Sequence, residues 1–472
     1  MKPLSGRYGT RRLRRVLIST ALSVVAVFGL GACSTYSSFS NQLRGDLLQD
    51  DLPKAVQATE KKGGDDPDVL NLLQRGLLYH YAERYEESNQ AFQLADTKIE
   101  DQFTKSISGQ ALAFLTNDAT LPYSGYPHEQ VLMHVYGALN YLFEGNHQDA
   151  LVECRRAGLR LDQLALIRED NQGYTDDAFT EWLSGMIFAE DRDGNATLVA
   201  ARRGRSAYEE YQKLFGTPMP KAFILDYLEW ARRFGFSDEA NEILNAHPEL
   251  GDEVEPLGPD EGRIVLIYES GFVNHLEEDA AFFPILESDE DKNDAEMATV
   301  LTRRGRRRVW VKKNNVKVAY WLRVALPAMV STPPVFTHAR LVTEGHSQTT
   351  ELAEDVSAIA QLTFDEGAGK RLLRTILRAL AKWRVTKTAQ DKGELSGFLA
   401  NLTSVATERA DTRSWSTLPD RIHVAQLRVP AGDHRVVVEC LDSTGRVGRT
   451  ATFDEVRVEP GESTILRFRT YR

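Results

Sequence analysis

"LLQRGLLYHYAERYEESNQAFQLA", residues 72–95, decides how the first half of this chain folds. Its apolar residues recur at helical spacing in two blocks, so it reads as a pair of helices. Leu72, Gly76 and Tyr79 fall on the first helix; Tyr85 opens the second, where Ser88, Phe92 and Ala95 follow. Small residues at Gly76, Ser88 and Ala95 let two antiparallel helices approach closely, while Tyr79 and Phe92 fill the space beside them. The stretch "GALNYLFEGNHQDALVECRRA" (137–157) brings Ala138, Tyr141, Gly145, Ala150, Cys154 and Ala157 into the same register.

Looser copies follow at 179–208, with Gly185, Phe188 and Ala201, and at 225–244, with Leu228, Ala231, Phe236, Ala240 and Leu244. Ahead of them, "LRGDLLQDDLPKAVQATEK" (43–61) reads as a capping helix or half repeat. This pattern resembles the tetratricopeptide repeat, with Cys154 standing where the repeat usually has an aromatic. The resemblance implies a stacked array of helix pairs offering a concave groove to a protein partner.

The N-terminus carries a different message. Lys2, Arg7, Arg11, Arg12, Arg14 and Arg15 precede an apolar run from Val16 to Ala32. That run is about 17 residues, near the lower limit for spanning a bilayer, and the order of regions is that of a signal peptide. Leu30-Gly31-Ala32-Cys33 closes it and resembles the lipobox of bacterial lipoproteins. The resemblance implies a diacylglyceryl group on Cys33, cleavage after Ala32 and acylation of the new amine. Ser34, in place of the aspartate that retains such proteins at the inner membrane, implies the outer membrane of a Gram-negative cell. Several acyl chains hold a protein firmly, whereas one binds reversibly.

Loss of the six basic leader residues takes the formal charge from −11 to −17. Such a chain is a poor candidate for nucleic acid or for anionic lipid surfaces. Only Cys154 and Cys440 remain after Cys33. They are expected as two separate buried thiols, one on a helix face and one on a strand.

The Pro-, Gly- and acid-rich "GDEVEPLGPDEG" (251–262) marks a domain boundary. "RIVLIYESG" (263–271) then reads as a buried strand, and "RRVWVKKNNVKVAYWLRVALP" (307–327) as a hairpin turning at Asn314-Asn315. One amphipathic helix takes Leu352, Val356, Ile359 and Leu362, continuing through Leu373 to Trp383, and a second runs from Leu395 to Val405. The last strands alternate: Leu466 and Phe468 are expected inside, Arg467 and Arg469 on a wet face. "VPAGDHRVVVE" (429–439) resembles the start of small β-sandwich repeats of bacterial surface proteins. The expected architecture is a signal peptide (1–32), an all-α tetratricopeptide-like array (33–250), a linker (251–262) and an α+β domain with antiparallel β-sandwich-like strands (263–472).

No metal-binding, nucleophile or phosphate-loop motif is present in the sequence, so no catalytic residue, cofactor or metal ligand is assigned. Candidate interaction residues are Tyr123 and Tyr126, in the Pro/Gly/Ser-rich loop 116–130, and Asp411, Arg413 and Trp415 of "ADTRSW". The second set reads either as a ligand site or, preferably, as an Asp–Arg pair and a buried indole that fix the start of a strand. "KRLLRTILRALAKWR" (370–384) and the tract Arg303 to Lys313 are basic.

The blocks "LAEDVSAIAQLTFDEGAGKRLLRTILRALAKW" (352–383) and "TERADTRSWSTLPDRIHVAQLRVPAGDHRV" (407–436) together resemble a family of proteobacterial outer-membrane lipoproteins with a tetratricopeptide-like N-terminal half. That resemblance implies architecture and location, not an activity. The expected function is a lipid-anchored, periplasm-facing scaffold or binding protein that engages protein partners through the repeat groove. The alternative is an enzyme, or enzyme activator, of peptidoglycan or surface polysaccharide metabolism.

Overall fold

Four helical hairpins of this chain turn in the same way. They are α3 (Val69–Tyr81) with α4 (Tyr85–Ala113), α5 (Pro127–Phe143) with α6 (His147–Leu166), α7 (Ala178–Glu190) with α8 (Gly194–Phe215), and α9 (Lys221–Arg233) with α10 (Ser237–Ala246). Helices α1 (Ser34–Leu48) and α2 (Leu52–Gly63) precede them. Each hairpin places one turn residue in the left-handed region: Glu83 (φ 60°), Gly145 (73°), Arg192 (61°) and Gly235 (80°). The next amide, of Arg84, Asn146, Asp193 or Phe236, donates back to the carbonyl of Tyr79, Tyr141, Phe188 or Ala231 at 2.8–3.0 Å. This satisfies a helix-terminal carbonyl that would otherwise be orphaned. Glu83 and Arg192 hold a conformation that costs a side-chain-bearing residue about 1–2 kcal/mol, so the packing of the pair imposes it. A Cβ on Gly76 would run into the Phe92 ring, and one on Gly185 would lie 2.7 Å from Trp230 Cζ3.

The computed structural model describes residues 34–113, 121–166, 173–250, 257–286, 295–302, 305–312, 318–369, 371–372, 374–375 and 410–472. The leader with Cys33, the acidic loop 287–294, Arg303 and Arg304, the Asn314-Asn315 turn, most of the basic stretch 370–384 and the expected helix at 395–405 lie outside the described residues.

After α10 the described residues are mainly in strands. In order come β1 (Glu261–Ser270), β2 (His275–Leu286), β3 (Ala295–Thr302), β4 (Gly305–Lys312), β5 (Val318–Val330), β6 (Phe336–Thr343), β7 (His346–Thr349), β8 (Glu351–Asp355), α11 (Val356–Glu366), β9 (Arg421–Pro430), β10 (Gly432–Asp442), β11 (Val447–Val458) and β12 (Ser463–Thr470). They form three sheets, ordered β12-β1-β9-β8, β11-β10-β6-β7 and β4-β3-β2-β5.

Strand β1 lies at the centre of a three-layer stack. Ile264, Leu266 and Tyr268 pack on Leu341, Val436, Val438 and Cys440 of the second sheet. Val265 and Ile267 turn the other way, into one hydrophobic core shared with helices α3 to α10, α11 and Trp415. Both faces of β1 are therefore dry, which accounts for its unbroken apolar run. The helical half and the sheets share that core, although the sequence reads them as two domains with a linker between.

Several local expectations are corrected. The strands flanking Asn314-Asn315 do not pair: β4 and β5 occupy opposite edges of their sheet, because β3 pairs with β4 and β2 pairs with β5. Leu352 belongs to β8; the helix starts at Val356, where Asp355 caps it by accepting from the Ala358 amide at 2.9 Å. Pro127 to Gln130, read as loop, form the first turn of α5, where proline loses no helical hydrogen bond. The sheets are not purely antiparallel, since β12 runs parallel to β1 from Arg263↔Ser463 to Ser270↔Thr470. The roughly 190 residues between them are ample for the crossover that a parallel pair needs.

The arginine face of β12 is not wet. Arg469 is 8% exposed and donates to the Gly271 and Thr417 carbonyls at 3.0 and 2.8 Å. Its guanidinium lies 4.7 Å from the Tyr81 ring centre, and that of Arg467 lies 5.2 Å from it. Planar guanidinium groups stack on rings and bond carbonyls, so they can line an interface that alternation assigns to solvent. Cys154 and Cys440 are both buried and free. Burial pushes their thiols up, to about 12 and about 11.

Candidate functional site

Segment 410–416 crosses from the sheets to the inner face of the helical array, and three of its side chains are the sequence candidates. Arg413 sends Nε and Nη2 onto the Asp411 carboxylate (2.9 and 2.7 Å) and Nη1 onto the Leu121 carbonyl (2.9 Å). The Tyr123 ring lies 5.2 Å from its guanidinium. The Trp415 amide donates to Glu129 Oε1 at 2.6 Å, and its indole is fully buried near Phe92 and Tyr136 (5.9 and 6.3 Å between ring centres).

Glu129 ties the two segments together. It stands at the third position of α5, and its Oε2 accepts from the Tyr126 amide (3.0 Å) and the Tyr123 hydroxyl (2.5 Å). The bond to the Tyr126 amide is the returning half of a capping box. Burial pushes Glu129 up to about 7, opposed by the bonds from Trp415, Tyr123 and Tyr126. With 1% exposure and every oxygen engaged, Glu129 is a joint rather than an acid–base group facing a substrate. Beside it His128 bonds Thr363 of α11 at 2.7 Å, and burial lowers its pKa to about 3, so it stays neutral.

Tyr123, Tyr126, Asp411 and Arg413, drawn from segments almost 290 residues apart, line one cleft of about 210 Å³ together with Arg371 and Arg374. Among the described residues, Asp411, Arg371, Arg374 and Arg413 are its charged lining side chains. Trp415 lies behind the wall as a packing residue. The beginning of α1 comes to the same place: Ser37 Oγ lies 3.0 Å from Thr412 Oγ1, and Ser40 bonds Ser416.

The inner face of the array is filled elsewhere too. Glu269 of β1 accepts from Tyr81 and Tyr136, and Tyr81 also receives Arg469. Asp226 of α9 accepts from Trp182 (2.7 Å), Arg263 (2.9 Å) and Gln426 (2.7 Å), so a helix, β1 and β9 meet on one carboxylate. Tyr208 donates to the Ala353 carbonyl at 3.0 Å. Sequence reasoning missed Glu129, Asp226, Glu269 and Arg469. Their only sequence signal is an acidic or basic residue inside an otherwise apolar helix or strand, which many solvated positions share.

Among the described residues, no helix is long and apolar enough to cross a membrane, and no group of three or more His, Cys, Asp or Glu is placed to hold a metal ion. No protein-family model matches the chain, and no curated protein matches it in sequence.

Proposed function

We propose that this chain is a lipid-anchored, non-enzymatic scaffold or binding protein facing the periplasm from the outer membrane of a Gram-negative cell. Its helical half is a tetratricopeptide-like array that grips its own sheets. The leader and the lipobox-like Leu30-Gly31-Ala32-Cys33 support the anchoring. The four repeated turns, and the small residues set seven positions before each of the first three, support the repeat class.

One observation carries the binding reading. The inner face of the array, where such repeats usually take a peptide, is occupied by Trp415, β1 and β8 of the same chain. Partners are therefore left the outer helices and the cleft at 121–126 and 410–413. Leu94, Val152, Leu159 and Val199 are exposed on the second helices of successive hairpins, a placement that suits apolar contact with a protein.

The test has two arms. Cys33→Ser should leave an uncleaved, mislocalised precursor; fractionation and maturation like wild type would remove the anchor. A photo-crosslinking residue at Val199 should capture a discrete protein in intact cells, whereas one at buried Val265 should not. Equal yields from both would remove the scaffold reading.

A further inference from the structure

Strand β8 covers part of the inner face of the array, and little backbone pairing holds it there. It is five residues long, lies at the edge of its sheet and is bulged between Leu352 and Glu354. A bulge re-aims a side chain, and here Glu354 is buried against the third hairpin, α7 with α8. Its carboxyl meets that of Asp177, the cap of α7, which is buried as well.

Two carboxyl groups in contact need a proton between them, and the donors around the pair say which one holds it. Asp177 accepts the Thr180 amide on one oxygen at 2.7 Å and the Tyr174 hydroxyl on the other at 2.5 Å. Among the described residues no donor reaches either oxygen of Glu354 in hydrogen-bonding geometry, although the Phe179 amide points toward it. An ionised carboxylate buried without donors is costly, whereas a neutral carboxyl donates its own proton to its neighbour. We propose that Glu354 carries this proton and donates it to Asp177, and that its loss to solvent releases β8 from the third hairpin, so that rising pH uncovers part of the inner face of the array.

Among the described residues no cation takes the place of the proton. Arg203 of α8 pairs with Asp176 and Glu181 (3.3 and 3.1 Å), and Arg421 of β9 with Asp355 and Asp420 (3.3 and 3.7 Å). Glu351 accepts from the Ala222 amide of α9 at 3.3 Å, and Glu366 of α11 from the Tyr174 amide at 3.1 Å. Tyr208 and Tyr211 of α8 complete the surroundings, and the Tyr208 hydroxyl holds the Ala353 carbonyl, next to Glu354, at 3.0 Å. Burial, and then the charge of Asp177, push Glu354 well above its ordinary value of 4.5. The folded state therefore keeps a proton that the unfolded state releases, and the stabilisation is complete below pH 4.5 and lost as pH rises through the raised value.

Native-state hydrogen exchange on residues 34–472, followed at the β8 amides, tests the latch. After correction for intrinsic exchange, the opening of β8 should be level at low pH and then rise about tenfold per pH unit. Glutamine is the isostere of a protonated glutamate and keeps a donor toward Asp177, so Glu354→Gln should fold, as circular dichroism would show, and give a level profile throughout. Glu129→Gln, which alters the other raised carboxyl joint, should keep the wild-type rise. Parallel profiles in wild type and Glu354→Gln would overturn the proposal, as would an equal flattening by Glu129→Gln. Infrared spectroscopy reads the proton itself. At about pH 6, where an ordinary glutamate is ionised, wild type should show a neutral-carboxyl band that weakens in Glu354→Gln, and a band of unchanged strength would also overturn the proposal.

Discussion

The two halves of this molecule are built from different kinds of contact. In the helical half most contacts are local: each hairpin closes through a three-residue turn, with Gly76 against Phe92 of its own hairpin and Gly185 against Trp230 of the next. In the sheet that β1 centres they are not: β1 pairs with β9 and with β12, strands about 160 and 200 residues further on. What joins the halves is a third kind, buried carboxylates that collect donors from both sides. Glu129 and Asp226 each do this, and Glu269 of β1 accepts from Tyr81 and Tyr136 of the array. Burying a carboxylate is costly unless it gathers hydrogen bonds, so these sites favour one mutual arrangement of the halves over any other.

The largest effect should come from cutting the long-range side. Deleting 462–472 removes β12, and with it the Arg469 contacts to Tyr81, Gly271 and Thr417. Both halves should lose cooperative unfolding and protease resistance. A helical half that stays protease-resistant and helical by circular dichroism would make the carboxylate joints dispensable.

Next comes Trp415→Ala. It empties a fully buried site between array and sheets, and large-to-small changes of this kind cost about 3–5 kcal/mol. Urea titration should show the loss in near-ultraviolet and far-ultraviolet signals alike. A loss confined to one signal would place the indole within one half.

Within the array, Gly185→Leu forces a side chain onto the Trp230 ring. Overpacking of this sort costs about 1–3 kcal/mol. Gln148→Ala, which removes only an exposed bond to Asp191, should be nearly neutral in the same thermal melts. Equal shifts would mean that the close approach at Gly185 does not limit packing.

An effect of similar size to the overpacking should appear as a change of slope with pH. Glu129 ordinarily titrates near 4.5 and is held at about 7 in the fold. The folded state thus keeps a proton that the unfolded state releases between those values. That contribution is complete below pH 4.5, falls as pH rises to 7, and is constant above. At about 1.4 kcal/mol per unit it amounts to something on the order of 3 kcal/mol. Measured against Glu129→Gln across pH 4.5 to 7.5, wild-type stability should decline more steeply. Parallel profiles would show that Glu129 keeps its charge throughout.

Much of the array was legible in the sequence because its determinants are local. Gly76 facing Phe92 and the turns near Gly145 and Gly235 follow from spacing alone. The buried strand at 263–271 was legible for the same reason, as an unbroken apolar run. The pairing of β4 and β5 is misread because a hairpin is inferred from proximity in sequence, whereas β3 and β2 stand between them in the sheet. Arg469 looked solvated because alternation says which way a side chain points, not what lies there. The cleft was half legible: aromatic residues in a loop and "ADTRSW" marked its wall, but nothing local shows that positions near 123 and 413 meet. Glu129, the joint between them, sits within a helix and carries no motif.

The central claim is that array and sheets unfold as one unit through these joints. Native-state hydrogen exchange on residues 34–472 tests it most directly. Amides of α5 and of β1 should share one opening free energy, and Trp415→Ala should lower both by the same amount. Protection of α5 that survives the substitution while β1 becomes exposed would show two independent units and contradict the claim.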